Sequence, residues 1–542
     1  MTETADYVIV GAGSAGCVIA ERLSADPSVR VVLIEAGRGD ANPLHAFPML
    51  VGHFYRQPTD NWSFYTEPQS GLQGRRLFWP RGKRLGGSSI FNGTAYARGN
   101  AGDYDHWAEL GNAGWSYKDL ILYFKRNERY EDGETSIHGG SGMLDVTHGR
   151  SRNPLFKVFL EAGRQAGYRF TDDFSGPDPS GVGYYDFNLK NGRRRNSATF
   201  LRENGASRPN LKIISQALVR RIILDGKRAT GVEYSRGGET LLVSARREVV
   251  LSAGAVGTPH ILMLSGIGNA AHLQAHGVAP LHDLPGVGEN LVDHLDAFVR
   301  VSTQQPISLL RELRIDRLTY NLARAFLFGT GPVSESVITT GGYFFSRDDL
   351  EYPDLQACFL PVPATGASVW WPFTRRARAV KGMHGFGIRI GPIRPKSHGR
   401  ITLQSADPTA APLIDPNYLS NEEDVVATVS GLKIARKLLS QPAFKPFINV
   451  ETAPGSDVVT DSELADYVRR TGDTTYHPVG TAKMGNDPMA VVDARLRVHG
   501  IDGLRVADAS IMPTIPSGNT NAPTMMVAEK ASDLLLENRR PG

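Results

Sequence analysis

The chain has 542 residues, enough for a large core and more than one structural unit, and its 60 Lys and Arg against 56 Asp and Glu leave a formal charge of only +4. So small a surplus argues against a nucleic-acid partner, and the densest basic clusters, Arg193–Arg195 and Arg375–Arg378, read as solvated faces. Cys17 and Cys358 alone make neither a disulfide framework nor a metal-ligand pattern, and no apolar run approaches the ~18–20 residues that cross a bilayer.

The opening "MTETADYVIVGAG" has no basic segment followed by an apolar one, so a cytoplasmic protein is expected, membrane-peripheral at most. Tyr7–Val10 is a β-branched apolar run, as for a strand buried on both faces. "GAGSAG" follows, then apolar residues at helical spacing, then a second buried strand over Val31–Gly37. That order predicts a βαβ unit with parallel strands. Gly11, Gly13 and Gly16 stand in G-x-G-x-x-G order: a tight turn, backbone approach to a pyrophosphate at a helix N-terminus, and close helix–strand packing. Glu35 lies 19 residues beyond Gly16, at the end of the second strand, where a carboxylate can accept from ribose hydroxyls. A dinucleotide is expected, and this fingerprint alone does not choose between NAD and FAD.

Pro80–Gly99, "PRGKRLGGSSIFNGTAYARG", is too rich in glycine and serine for an ordinary surface element. Strands are predicted over Leu211–Ser215, Ala217–Leu224 and Arg247–Ser252, followed by "GAVGTPHILMLSGIG" over Gly254–Gly268. Gly331–Ile393 alternates strand-like pieces with Pro/Gly loops, which suggests an antiparallel sheet. Trp370, Trp371 and Phe373 within it could wall a pocket, although core or interface packing is the plainer reading. Glu422–Leu439 and Asp461–Thr471 read as helices, and a last apolar helix, Ala522–Glu537, follows "SGNTN". Before it, "TTYHPVGT" puts His477 directly ahead of a proline, which pushes that residue toward extended backbone at the end of an element or in a loop.

Together the blocks at Pro80–Gly99, Gly254–Gly268, "YHPVGTAKMG" and Gly503–Leu535 resemble, in order and over nearly the whole length, the glucose–methanol–choline (GMC) oxidoreductases, FAD-dependent alcohol dehydrogenases and oxidases, in their choline-dehydrogenase-like branch. The resemblance implies an α/β fold: a Rossmann-like FAD-binding domain and an α+β substrate domain built on an antiparallel sheet flanked by helices. The chain would alternate between them, with residues 1–155, 206–290 and 471–542 in the FAD-binding part and 156–205 and 291–470 in the substrate part.

By position, the resemblance assigns Gly11, Gly13, Gly16 and Glu35 to the ADP half of FAD, and Val219 to the adenine through its backbone. Gly86, Gly87, Asn92, Gly93 and Thr94 go to the pyrophosphate and isoalloxazine, Asp508 and Ala509 to the pyrophosphate and ribityl chain. Covalent members carry a histidine just before the Asn92 position; Phe91 stands here, so dissociable FAD is expected. His477 falls at the catalytic base, for which a neutral imidazole kept so by burial is chemically suited. The second catalytic position falls at Asn519, with Asn521 the nearby rival; an amide there can hold the substrate oxygen but cannot act as a base.

The expected reaction is oxidation of an uncharged primary alcohol to an aldehyde, with electrons passing to oxygen or a quinone-like acceptor. A choline-type dehydrogenase and a non-redox hydroxynitrile lyase are the alternatives. No transmembrane segment and no nucleic-acid partner are expected, and the oligomeric state is not legible.

Overall fold

The apolar run ahead of the first glycine turn becomes the strand Glu3–Val10, buried from Ala5 onward. It pairs in parallel with Val31–Ile34 on one side and Glu239–Leu251 on the other, with Val8 opposite Val32 and Val249. Strands enclosed in this way need apolar residues on both faces, which is why they read as continuous runs. The computed structural model describes residues 3–309, 312, 315–363 and 384–537. Trp370, Trp371, Phe373 and Arg375–Arg378 lie outside them.

The first sheet has seven strands, in the order Leu211–Ile214, Val31–Ile34, Glu3–Val10, Glu239–Leu251, Arg228–Arg236 and Leu218–Asp225, with Leu504–Val506 also paired to the fourth of these. Glu239–Leu251 is longer than the Arg247–Ser252 expected from sequence. Its first half pairs antiparallel with Arg228–Arg236 and is partly exposed, so it lacks the unbroken apolar run of its buried end. The helix Ser14–Ser24 crosses from the first strand to the second, as a βαβ unit requires. Against it packs the C-terminal helix Asn521–Glu537, whose fully buried Glu529 accepts two bonds from Arg22, at 2.9 and 2.8 Å.

The second sheet has eight strands, ordered Val450–Ala453, Leu295–Thr303, His384–Pro392, Leu355–Leu360, Thr340–Phe344, Gly181–Tyr184 and Phe170–Thr171, with Asp473–Thr474 paired to Leu295–Thr303. Its pairings are antiparallel apart from the short parallel one between Phe170–Thr171 and Gly181–Tyr184. The helix Glu422–Leu439 covers it, with acidic residues in its first turn and Arg436 and Lys437 in its last, each complementing the helix dipole. Asp461–Thr471 starts at a capping box made by Thr460 and Glu463.

One pairing positions the site. Asp473 and Thr474 lie opposite Asp296 and Leu295, so the "TTYHPVGT" segment leaves the sheet edge beside Asp293 and His294.

The reading of Arg193–Arg195 as a solvated face holds only in part. Arg194 is 4% exposed and donates to the carbonyl oxygens of His45 and Asn92. Arg195 is held by Glu203 and Asp145. In the short hairpin that carries these residues, alternate side chains point to opposite faces, so one of the consecutive arginines must turn inward.

Candidate active site

A cavity of about 1020 Å³ runs from Glu35 and Ala36, past the glycine turn, to His477 and Asn519. At one end it is lined by Gly11, Gly13, Glu35 and Val219, in the middle by Gly87, Asp508 and Ala509, and at the other end by Asn92, Gly93 and Thr94. Gly16 and Gly86 stand behind this wall. A Cβ on Gly16 would lie 1.9 Å from the Gly11 carbonyl oxygen, so this glycine lets the helix meet the turn. The Gly86 amide donates to the Ala12 carbonyl oxygen at 2.7 Å and ties the second glycine segment to the first.

The helix Ser14–Ser24 starts at Gly13 without a side-chain cap, and Gly13, Ser14 and Ala15 face the cavity. Its first N–H groups are thus presented to the cavity at the positive end of the helix dipole, where a diphosphate is favoured. Glu35 is buried, and its two oxygens accept from the Ala12 and Gly37 amides at 3.0 and 2.8 Å. Each oxygen keeps a lone pair for a ribose hydroxyl. Burial raises its pKa and those amides oppose the rise. Asp508 accepts from Gly254, Thr258 and Ser510, so its carboxylate fixes the loops around the middle of the cavity. An uncapped helix end, a terminal carboxylate and a long enclosed space together fit FAD.

At the far end, His477 sits in an irregular segment, as the following proline implies. Its amide donates to Asp293 Oδ1 at 2.6 Å, and Asp293 Oδ2 accepts from the hydroxyls of Thr474 and Tyr418. The preceding Tyr476 is held at φ +68°, with its carbonyl accepting from Arg81 at 2.8 Å. The backbone that aims the imidazole is therefore bonded from both sides.

The ring itself is held at both nitrogens. Asn519 Nδ2 lies 3.0 Å from His477 Nε2, and His294 Nδ1 and the Thr475 hydroxyl each lie 3.0 Å from His477 Nδ1. Asn521 is turned elsewhere, accepting from the Ser14 hydroxyl at 2.7 Å. His294 Nε2 is 3.1 Å from the Ile393 carbonyl oxygen, which can only accept, so that nitrogen carries the proton. Burial lowers the His294 pKa to about 4, so its ring is neutral and its Nδ1 is an acceptor. His477 must then carry its proton on Nδ1 and present a lone pair at Nε2, toward Asn519. Burial first, then His294, Arg81 and Arg389, hold the His477 pKa well below the ordinary histidine value.

Sequence reasoning passed over Asp293 and His294, because both fall in the stretch after Asn290 that the family motifs constrain least. The available signal was their side-by-side placement in "NLVDHLD", two ionisable groups amid apolar residues. It also passed over Asp296, whose Oδ1 accepts from Arg389 Nε and Nη2 at 2.9 and 2.5 Å on the cavity wall.

Comparison with known proteins gives the family. Two family models described as GMC oxidoreductase match residues 5–296 and 395–528. The chain is 42% identical over 534 residues to an oxygen-dependent choline dehydrogenase of Brucella anthropi, covering 98% of this chain and 95% of that protein. It is 41% identical over 538 residues to an alcohol dehydrogenase [acceptor] of Pseudomonas putida, with the same two coverages of 98% and 95%. Among solved structures, pyridoxine 4-oxidase from Mesorbium loti superposes with a TM-score of 0.88 at 30% identity, covering 99% of this chain and 100% of that one. Formate oxidase superposes at 0.91 and 26%, covering 99% of each chain.

Proposed function

The chain belongs to the GMC oxidoreductase family and is an FAD-dependent enzyme acting on CH–OH groups, and we propose that it oxidises an uncharged primary alcohol to an aldehyde with His477 as the base. The observation that carries the reading is the position of His477 Nε2, on the cavity wall and 3.0 Å from the Asn519 amide nitrogen. An alcohol oxygen that displaces this direct contact donates its proton to Nε2 and accepts a hydrogen bond from Asn519 Nδ2. Bound FAD would supply the acceptor for the hydride that leaves the alcohol carbon. Gly11, Gly13, the first turn of Ser14–Ser24 and Glu35 would hold its ADP half, and Gly87, Asn92, Gly93 and Thr94 would line its other half.

His294 acts as a positioning residue. Its proton on Nε2 is fixed by the Ile393 carbonyl, so its Nδ1 dictates the tautomer in which His477 can accept a proton at Nε2. Asn519 has no basic group, which leaves His477 the sole acceptor of the pair.

Relatives named as choline dehydrogenases raise the cationic alternative. A quaternary ammonium is best held by an unpaired carboxylate or an aromatic face. Tyr55, Tyr476 and Asp473 line the cavity near the base, but Asp296 is engaged by Arg389, and the Arg81 and Arg389 charges that depress the His477 pKa also oppose a second cation there. An uncharged alcohol suits it better.

Anaerobic mixing with a panel of alcohols tests the reading. Uncharged primary alcohols should bleach the flavin absorbance, and choline should do so more slowly. Faster bleaching by choline would overturn the substrate class. No bleaching by any alcohol, with turnover of a hydroxynitrile, would overturn the reaction. Peroxide release in air separates oxygen from a quinone-like acceptor.

A further inference from the structure

The helix Ile315–Phe328 turns Leu318, Leu322 and Ala325 onto the cluster of Phe47, Leu50, Val51 and Phe54. Its outward residues include Tyr320, Phe326, Leu327 and Phe328, exposed by 65, 59, 68 and 72%. Three consecutive large apolar side chains at the end of a helix, each more than half exposed, are not what a solvated surface requires.

Beside this tip lies the hairpin of Leu189–Lys190 and Arg193–Arg194. Its turn residue Gly192, at φ +66°, passes so close to Gly329 that a Cβ would stand 1.9 Å from that carbonyl oxygen. The two elements are thus seated together. Arg193 completes the join, donating to the Phe326 carbonyl oxygen at 2.8 Å with its guanidinium 5.9 Å from the centre of the Phe326 ring.

Between them opens a pocket of about 740 Å³, lined by Lys190, Arg193, Arg194 and Arg202 together with Leu327 and Phe328. Lys190 and two further arginines on its wall have carboxylate partners, Lys190 with Asp145, Arg84 with Asp40 and Asp60, and Arg195 with Asp145 and Glu203, and Asp40 and Glu203 themselves line the pocket. Arg193, Arg194 and Arg202 instead give N–H groups to the carbonyl oxygens of Phe326, His45 and Gly39. A carbonyl satisfies a hydrogen bond and leaves the charge uncompensated. Burial accordingly pushes the Arg194 pKa down to about 9.

We propose that this face docks on an anionic phospholipid membrane, with a headgroup phosphate in the arginine-lined pocket and Phe326, Leu327 and Phe328 at the boundary between headgroups and acyl chains. Guanidinium groups bind phosphate oxygens in pairs, and exposed aromatic and aliphatic side chains gain by leaving water at that depth. The charge matches the apolar tip in purpose: an anionic surface satisfies both, whereas a second copy of the chain would bring the same cations against each other. The chemistry proposed for the cavity neither requires nor implies this surface.

The full-length protein, loaded with FAD, would be floated with vesicles of phosphatidylcholine alone and of phosphatidylcholine mixed with phosphatidylglycerol. Binding to the mixed vesicles, weakened by salt, is expected. Arg193→Glu should lower the partition coefficient roughly tenfold, and Leu327→Ser with Phe328→Ser at least about fivefold, with unchanged melting temperature and unchanged turnover of a water-soluble alcohol. Equal affinity for both vesicle types would overturn the proposal. So would a serine variant that still binds vesicles normally but loses a dimer, which would assign the face to a second copy. If inorganic phosphate binds with the same affinity in the serine variant and vesicles do not bind the unsubstituted protein, the pocket is an ion site and the membrane proposal falls.

Discussion

His477 carries the chemistry only because its two ring nitrogens are made unequal. Replacing it with Ala should lower kcat by about 10²–10⁴, the usual worth of a general base, while FAD stays bound. The sharper test of its surroundings is at His294. His294→Leu removes the neutral imidazole that accepts the His477 Nδ1 proton and leaves the Thr475 hydroxyl, 3.0 Å away, as its acceptor, a loss worth about 0.5–1.5 kcal/mol or roughly 2–13-fold in kcat. His294→Asn returns an oxygen acceptor and should recover most of it, which a purely structural role for the ring would not explain. Because burial and the neighbouring cations hold the His477 pKa well below its ordinary value, the base stays neutral as pH falls through the normal histidine range. A kcat/KM profile should therefore show no acid limb near pH 6.5. A limb at that pH would place an ordinary, solvated histidine at the site. Phe91 stands where covalent relatives carry a linking histidine, and acid precipitation should leave the flavin in the supernatant.

Among the elements, the turn from the first strand into the helix Ser14–Ser24 has the least tolerance. Gly16→Ala would drive its Cβ into the Gly11 carbonyl, 1.9 Å away, and separate the helix from the strand that it crosses. The purified variant should be colourless, with FAD lost and melting at a lower temperature; full flavin content would show that the turn can shift. This turn was fully legible from sequence, because glycine spacing, the apolar strand and the acid at Glu35 are all local signals. So were the helices Glu422–Leu439 and Asp461–Thr471, whose caps and charge asymmetry lie within their own residues. The site was legible only on one side. His477 and Asn519 could be named from motifs, but the pairing of Leu295 with Thr474, which delivers His294 to His477, joins strands far apart in sequence. The inward turn of Arg194 was hidden for the same reason, since its partners, His45 and Asn92, are supplied by distant segments.

At the scale of the whole molecule, stability should depend on pH through a buried group remote from the cavity. His138 lies between Glu128 and Asp173, at 3.0 and 3.1 Å. Burial alone would lower its pKa, but the bonds to the two carboxylates outweigh it and raise the pKa to about 9. The folded state thus holds this proton more tightly than the unfolded chain, whose histidine titrates near 6.5. The stabilisation is complete below about pH 6.5 and is lost as pH rises toward 9, so Tm should fall over that interval. In His138→Gln the fall should be shallower, which differential scanning fluorimetry across the range would resolve.

The central claim, that His477 takes the alcohol proton, is tested most directly by mixing the flavin-loaded protein with a primary alcohol in the absence of oxygen and following the flavin absorbance. The unsubstituted enzyme should bleach in one rapid phase, and His477→Ala, matched for flavin content, should bleach about 10²–10⁴ times more slowly. Equal rates in the two proteins would contradict the assignment.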